Sequence, residues 1–112
     1  MSNDLISIII PTIDRFEQLE AMLNSITCST YKNYEVIIVD QNRTRMIDDI
    51  VLKYNSLLPI QHIKVNFTGA ARARNQGFRY ASGQYLFFPD DDAELFPETM
   101  ELSIEILKNT NA

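Results

Sequence analysis

The sequence predicts an α/β protein: a Rossmann-like parallel sheet with helices on both faces. Three observations carry that expectation. LISIII at 5–10 and EVIIVD at 35–40 are short, rich in β-branched residues and apolar on both sides, as strands buried on both faces of a parallel sheet are. The stretches between strand-like runs place apolar residues at the three- and four-residue spacing of an amphipathic helix. Strand-like and helical segments alternate along the chain as βαβαβαβ, then a loop and a helix, and right-handed crossovers turn such a string into a parallel sheet covered on both sides.

Each element has its own signal. Pro11 is expected to end the first strand, because proline cannot donate to a ladder. Asp14 and Glu17 stand three apart, the spacing of a capping box, and Phe16, Leu19, Leu23 and Ile26 follow at helical spacing, which predicts a helix over 15–28. The second strand ends on Asp40. Ile47, Ile50, Val51 and Tyr54 form the next helical stripe, and Ile63, Val65 and Phe67 alternate with polar residues as a strand nearer a sheet edge does. Thr68 and Gly69 open a helix predicted over 70–81. Residues 85–88 read as a fourth strand and 97–109 as a fourth helix, with Pro97 suited to its first turn.

The chain has 112 residues, 46% of them hydrophobic and 22% charged, enough for a single domain with its own core. A formal charge of −5 excludes a general attraction to nucleic acid or to an anionic membrane. Any anionic ligand must then be held by local positive charge or by a metal. Cys28 is the single cysteine, which rules out a disulfide framework or a cysteine zinc site. Without a signal peptide or a run approaching the ~20 apolar residues of a membrane span, the chain reads as cytoplasmic, with peripheral attachment at the inner face of a membrane compatible with that reading.

In parallel sheets of this kind ligands sit beyond the carboxyl ends of the strands, where the strand order reverses. Pro11 and Thr12, Asp40, and Asp90 to Asp92 all follow strand ends, so they are expected to share one rim. Three adjacent carboxylates repel and raise one another's pKa unless a cation is present; the cluster is either a solvated acidic turn or a metal site. Arg74 falls within the stripe Ala70, Ala71, Gly77, Phe78 and Ala81 expected to face the sheet, whereas Arg72 and Arg79 share the solvent side. A guanidinium facing inward needs a partner, which is either a rim carboxylate or an anionic ligand near the helix N-terminus. His62 reads as a surface residue, Cys28 as inert, and Tyr85, Phe87 and Phe88 as core.

PTIDR (11–15), EVIIVDQN (35–42) and ARNQGFRYASGQYLFFPDDD (73–92) together resemble the family 2 glycosyltransferases, whose fold is the GT-A type of nucleotide-diphospho-sugar transferases. The resemblance implies a set of roles. Asp40 accepts a hydrogen bond from the ring N–H of a uracil-like base cradled by Pro11 and Thr12, with Asp14 beside them. Arg74 contacts the nucleotide, and Asp90 lies near the ribose with Asp91 alongside. Asp92, the second acid of the Asp-x-Asp pattern, ligates Mn²⁺ or Mg²⁺ on the diphosphate, with Asp90 as its companion. Hard divalent ions of this kind take oxygen ligands.

The sequence departs from the family pattern in three places. Gln41 and Asn42 follow Asp40 where a second acid and Gly-Ser are common, Ile13 replaces an aromatic residue, and the chain stops at Ala112, where family members usually carry about as much again. The resemblance therefore implies one domain, 1–112, that is the nucleotide-binding half of a transferase. The acceptor site and general base lie in the half it lacks, no catalytic residue is identifiable, and the uncovered surface offers a route to self-association. The implied activity is transfer of a sugar, with inversion, from a nucleoside-diphosphate donor (a UDP-sugar first) to an acceptor hydroxyl. The acceptor would be a glycan or lipid-linked precursor in polysaccharide or cell-surface glycan synthesis. A nucleotide-sugar-binding module without turnover is the alternative. A phosphoacceptor receiver domain needs paired acids after its first strand, and a sugar nucleotidyltransferase needs a glycine-rich basic loop there; PTIDR supplies neither.

Overall fold

The computed structural model describes residues 4–89 and 95–109. Its elements run β1 (Ile6–Thr12), α1 (Phe16–Thr27), β2 (Tyr34–Asp40), α2 (Asp48–Tyr54), β3 (Ile60–Lys64), α3 (Ala70–Phe78), β4 (Tyr85–Phe87) and α4 (Thr99–Asn109). The four strands form one parallel sheet in the order β3-β2-β1-β4. The chain thus steps outward from β1 to β3, then returns through α3 to place β4 on the other side of β1. That reversal opens a crevice at the carboxyl ends of β1 and β4. None of the described helices is long and apolar enough to cross a membrane.

Alternation along β1 and β2 divides the core in two. Ile6, Ile8, Ile10, Val36 and Ile38 pack with Leu19, Met22, Leu23 and Ile26 of α1, with α2, and with Met100 and Ile104 of α4. Ile9, Ile37 and Val39 face the opposite way, against Ala73 of α3. Burying one such isoleucine stabilises the fold by roughly 1.5–3 kcal/mol. The small residues of α3 follow from its closeness to the sheet. A Cβ on Gly77 would come within 2.6 Å of Ile9 Cγ2 and 3.1 Å of Val39 Cγ2. Alanine normally favours a helix over glycine by about 1 kcal/mol, but here the clash reverses the sign. Gly77→Ala is expected to destabilise the domain by about 1–3 kcal/mol, read as a lower urea midpoint. An unchanged midpoint would mean that α3 sits further from β1 than described.

Several expectations change. Pro11 does not end β1, which pairs with β2 through Thr12. Backbone bonds explain this: Thr12 accepts from Gln41 and so faces β2, whereas Leu5 accepts from Tyr85 and faces β4. By alternation Pro11 points its missing N–H toward β4, whose pairing stops at Ile8, so no ladder bond is lost. Asp14 is not a helix cap. Its φ is 54°, and α1 starts after Arg15 with no side-chain cap. Phe16 is 39% exposed and Met22 takes its place in the α1 stripe. β3 is shifted toward the N-terminus because β2 ends at Asp40, opposite Lys64; Val65 and Phe67 still pack on the α3 side of the sheet. In α3 the buried residues are Ala73 and Gly77, while Ala70, Ala71 and Phe78 are exposed. Phe88 follows β4 and is also exposed.

Candidate functional site

A cleft of about 200 Å³ opens at the carboxyl ends of the strands. Pro11, Ile13 and Arg15 line it from the end of β1, and Gln41 from the end of β2. Gly69, Ala70 and Arg74 contribute from the start of α3, and Pro89 from the segment after β4. Small-ligand pockets run to about 300–1,000 Å³, so this cleft suits part of an extended ligand rather than a whole nucleotide sugar. Two arginines, Arg15 and Arg74, are among its lining residues.

Strand parity decides which rim residues reach the cleft. Pro11 shares the α3 side of the sheet with Ile9, and Gln41 shares it with Ile37 and Val39. Thr12 and Asp40 are one residue out of phase and point to the α1/α2 side. Gln41 is held in place by its own side chain: its Oε1 accepts the N–H of Gly69 at 2.8 Å, and Gly69 stands at φ 134° directly before α3. Ala70 and Arg74 lie one helical turn apart on the flank of the buried stripe that faces the cleft. Arg72 is exposed on the other flank, its guanidinium 4.1 Å from the centre of the Phe67 ring.

On the far side of β2, Asp40 is fully buried and its carboxylate is saturated. Oδ1 accepts from the Asn42 backbone N–H at 2.9 Å and from Asn42 Nδ2 at 2.8 Å, and Oδ2 lies 2.8 Å from His62 Nε2. His62 is therefore not a simple surface residue. It stands opposite Ile38 in the β2–β3 ladder, which aims it at the same side of the sheet as Asp40. Asn42 extends the network, its Oδ1 accepting the N–H of Asp14 at 2.7 Å. This ties the loop after β1 to the loop after β2.

Nearby, Lys64 Nζ lies 2.8 Å from Asp48; the hydrogen bond from Lys64 holds the Asp48 carboxyl below its usual range. One ligand atom from each of Asp40, Asp48 and His62 falls within 4.8 Å of the others, a donor set that suits a divalent ion. In this arrangement Asp40 and His62 already bond each other, and Asp48 is neutralised by Lys64.

The residues nominated from sequence therefore separate. Pro11 and Arg74 meet at the cleft. Thr12 is buried behind it, its hydroxyl without a hydrogen-bond partner among the described residues. Asp14 lies on the same turn as Ile13 and Arg15 but is exposed and outside the lining. Asp40 faces away. Asp90, Asp91 and Asp92 lie outside the described residues, although Pro89, which directly precedes them, is on the cleft. Gln41, Arg15 and Gly69 line the cleft as well without a motif to mark them, as does Ile13 at the family's aromatic position; the parity of β2 is the sequence signal that points to Gln41.

A parallel sheet in this order, with its cleft at the point of reversal, is a doubly wound nucleotide-binding arrangement, and the solved structures it matches are glycosyltransferases of the GT-A fold. The structure of S. aureus TarS 1–349 matches it with a TM-score of 0.85 at 25% identity, over 93% of this chain and 32% of that one. The mannosyltransferase PcManGT from Pyrobaculum calidifontis, solved with GDP-Man and Mn²⁺, matches with a TM-score of 0.84 at 24% identity, over 91% and 32%. In sequence, the Escherichia coli UDP-Glc:alpha-D-GlcNAc-diphosphoundecaprenol beta-1,3-glucosyltransferase WfgD is 30% identical over 115 residues, which cover 99% of this chain and 44% of WfgD. The profile described as Glycosyl transferase family 2 matches residues 7–112, and the chain belongs to that family. It spans 15% to 44% of the length of the first curated relatives it matches.

Proposed function

We propose that residues 1–112 form the donor-binding unit of a glycosyltransferase. The unit holds a nucleoside-diphosphate sugar, with a UDP-sugar as the first candidate. The whole protein passes the sugar to an acceptor hydroxyl with inversion, and chain beyond this domain supplies the acceptor site and general base. The observation that carries the reading is the convergence of Pro11, Gln41, Arg74 and Pro89 on one cleft at the switch point of the sheet. The chemistry agrees: Arg74 offers a fork of donors suited to phosphate oxygens, and the backbone N–H groups of the first turn of α3 favour an anion beside it. The base falls between Pro11 and Gln41, and Asp40 serves from behind by fixing the backbone that aims Gln41.

Asp90 and Asp92, with Asp91 between them, follow Pro89 directly in sequence and are proposed to hold Mn²⁺ or Mg²⁺. Carboxylate oxygens are the ligands such ions take, and PcManGT is solved in complex with GDP-Man and Mn²⁺. When bound, the ion neutralises the departing diphosphate. The acceptor named for WfgD is a diphosphoundecaprenol-linked sugar; by that likeness a lipid-linked or surface-glycan acceptor is proposed here, with the protein working peripherally at the cytoplasmic face of a membrane.

Calorimetry with UDP, CDP, GDP and ADP, with and without Mn²⁺, tests the reading. The intact domain is expected to bind at least one of them more tightly with metal. Asp92→Ala is expected to lose that metal dependence while its melting temperature stays unchanged. Equal metal-dependent affinity in both proteins would remove Asp92 from the metal site, and no binding of any nucleoside diphosphate would end the proposal.

A further inference from the structure

We infer that Gln41 reads the nucleobase as an N–H donor, so that the site favours an acceptor on the base edge it meets, such as cytosine N3 or a carbonyl oxygen, over a ring N–H. The inference rests on the cleft being the nucleotide site and adds the chemistry of its base selection. A backbone N–H can only donate, so the side-chain atom 2.8 Å from Gly69 N must be the amide oxygen. That bond fixes the orientation of the amide, with its oxygen committed to the start of α3. The polar group Gln41 has left for the cleft it lines is the NH₂, which can only donate. Among the described residues the NH₂ makes no hydrogen bond within the protein.

The surroundings hold this arrangement still. Gln41 is only 5% exposed, and its neighbours on either side are clamped, because Asp40 accepts two bonds from Asn42 and one from His62. Gln41 cannot turn its amide over without leaving both Gly69 N–H and its own NH₂ facing donors. The position therefore has a fixed hydrogen-bond polarity. A carboxylate there would have the opposite polarity toward the base while still accepting from Gly69.

Gln41→Glu is accordingly a near-isosteric reversal. Arg15 and Arg74 line the same cleft and favour the ionised form of the introduced carboxylate, so absolute affinities will move for reasons other than the base. The ratio of affinities is the readout. UDP and CDP share ribose and diphosphate and differ on the base edge: position 3 donates in uracil and accepts in cytosine, whereas position 4 accepts in uracil and donates in cytosine. The test is calorimetric titration of both nucleotides, with Mn²⁺, into the wild type, Gln41→Glu and Gln41→Met.

Gln41→Glu is expected to change the CDP-to-UDP affinity ratio by about tenfold, toward UDP where the amide meets ring position 3 and toward CDP where it meets position 4, the size of a hydrogen bond gained with one base and lost with the other. Gln41→Met is expected to bring the two affinities closer together. Binding of both nucleotides with the same ratio in all three proteins would overturn the inference while leaving the donor-binding reading intact. Failure of the wild type to bind any nucleoside diphosphate would overturn both.

Discussion

Arg74→Ala is expected to weaken nucleoside-diphosphate binding by about 10- to 100-fold, whereas Arg72→Ala changes it by no more than about 3-fold. A hydrogen bond to a charged group contributes roughly 1.5–3 kcal/mol, and a guanidinium fork on phosphate reaches the upper part of that range. The two side chains sit two residues apart on one short helix, so the contrast isolates direction from net charge. Arg74 is half-buried and lines the cleft. Arg72 is exposed and rests on the Phe67 ring, a contact that bears on local packing at about 0.5–1 kcal/mol. Arg74→Lys keeps the charge but loses the planar fork and should fall between. Equal effects of the two alanine substitutions would mean that binding responds to the charge of the whole helix and not to the cleft.

Asp40→Ala is expected to cost about 2–4 kcal/mol of stability. The substitution leaves the Asn42 backbone N–H, its side-chain amide and the His62 ring nitrogen without their common partner in a buried site, and each unsatisfied group costs about 1–3 kcal/mol. Some relaxation of Asn42 and His62 keeps the total below the simple sum. The loss should also release Gln41 and the Asp14 turn, because Asn42 connects the two loops. Urea denaturation reads the stability change, and nucleotide titration of the surviving folded fraction reads the second effect. A loss below about 0.5 kcal/mol, the usual range for surface substitutions, would mean that the carboxylate is dispensable to the network.

The doubly apolar strands β1 and β2 were legible from their residues, because burial on both sides leaves an unbroken hydrophobic run with no rival reading. The order of elements then fixed which ends of the strands would meet. What was not legible was direction around each element. Asp40 and Gln41 are adjacent, yet a strand sends them to opposite sides of the sheet, and an ordered list of motifs does not carry that parity. The same one-residue distinction separates Pro11 from Thr12. On α3 the stripe Ala70, Ala71, Gly77, Phe78 and Ala81 reads as facing the sheet, whereas closeness to Ile9 leaves room only for Ala73 and Gly77. Arg74 consequently lies at the edge of the buried stripe and not in its middle. His62 lacked any local signal, since its partner is set by the β2–β3 register. Asp14 carried a real but competing one: the capping spacing was present, and a left-handed turn held by Asn42 prevailed.

The central claim is that the cleft between Pro11, Gln41 and the start of α3 is where a nucleoside diphosphate binds. Amide chemical-shift mapping tests it most directly, with ¹⁵N-labelled protein titrated with the tightest nucleotide of the calorimetric panel and Mg²⁺. The largest shifts are expected at Ile13, Gln41, Gly69 and Ala70. Shifts concentrated instead at the groove formed by Lys64 to Phe67 and Gln76, or no saturable shifts at all, would contradict it.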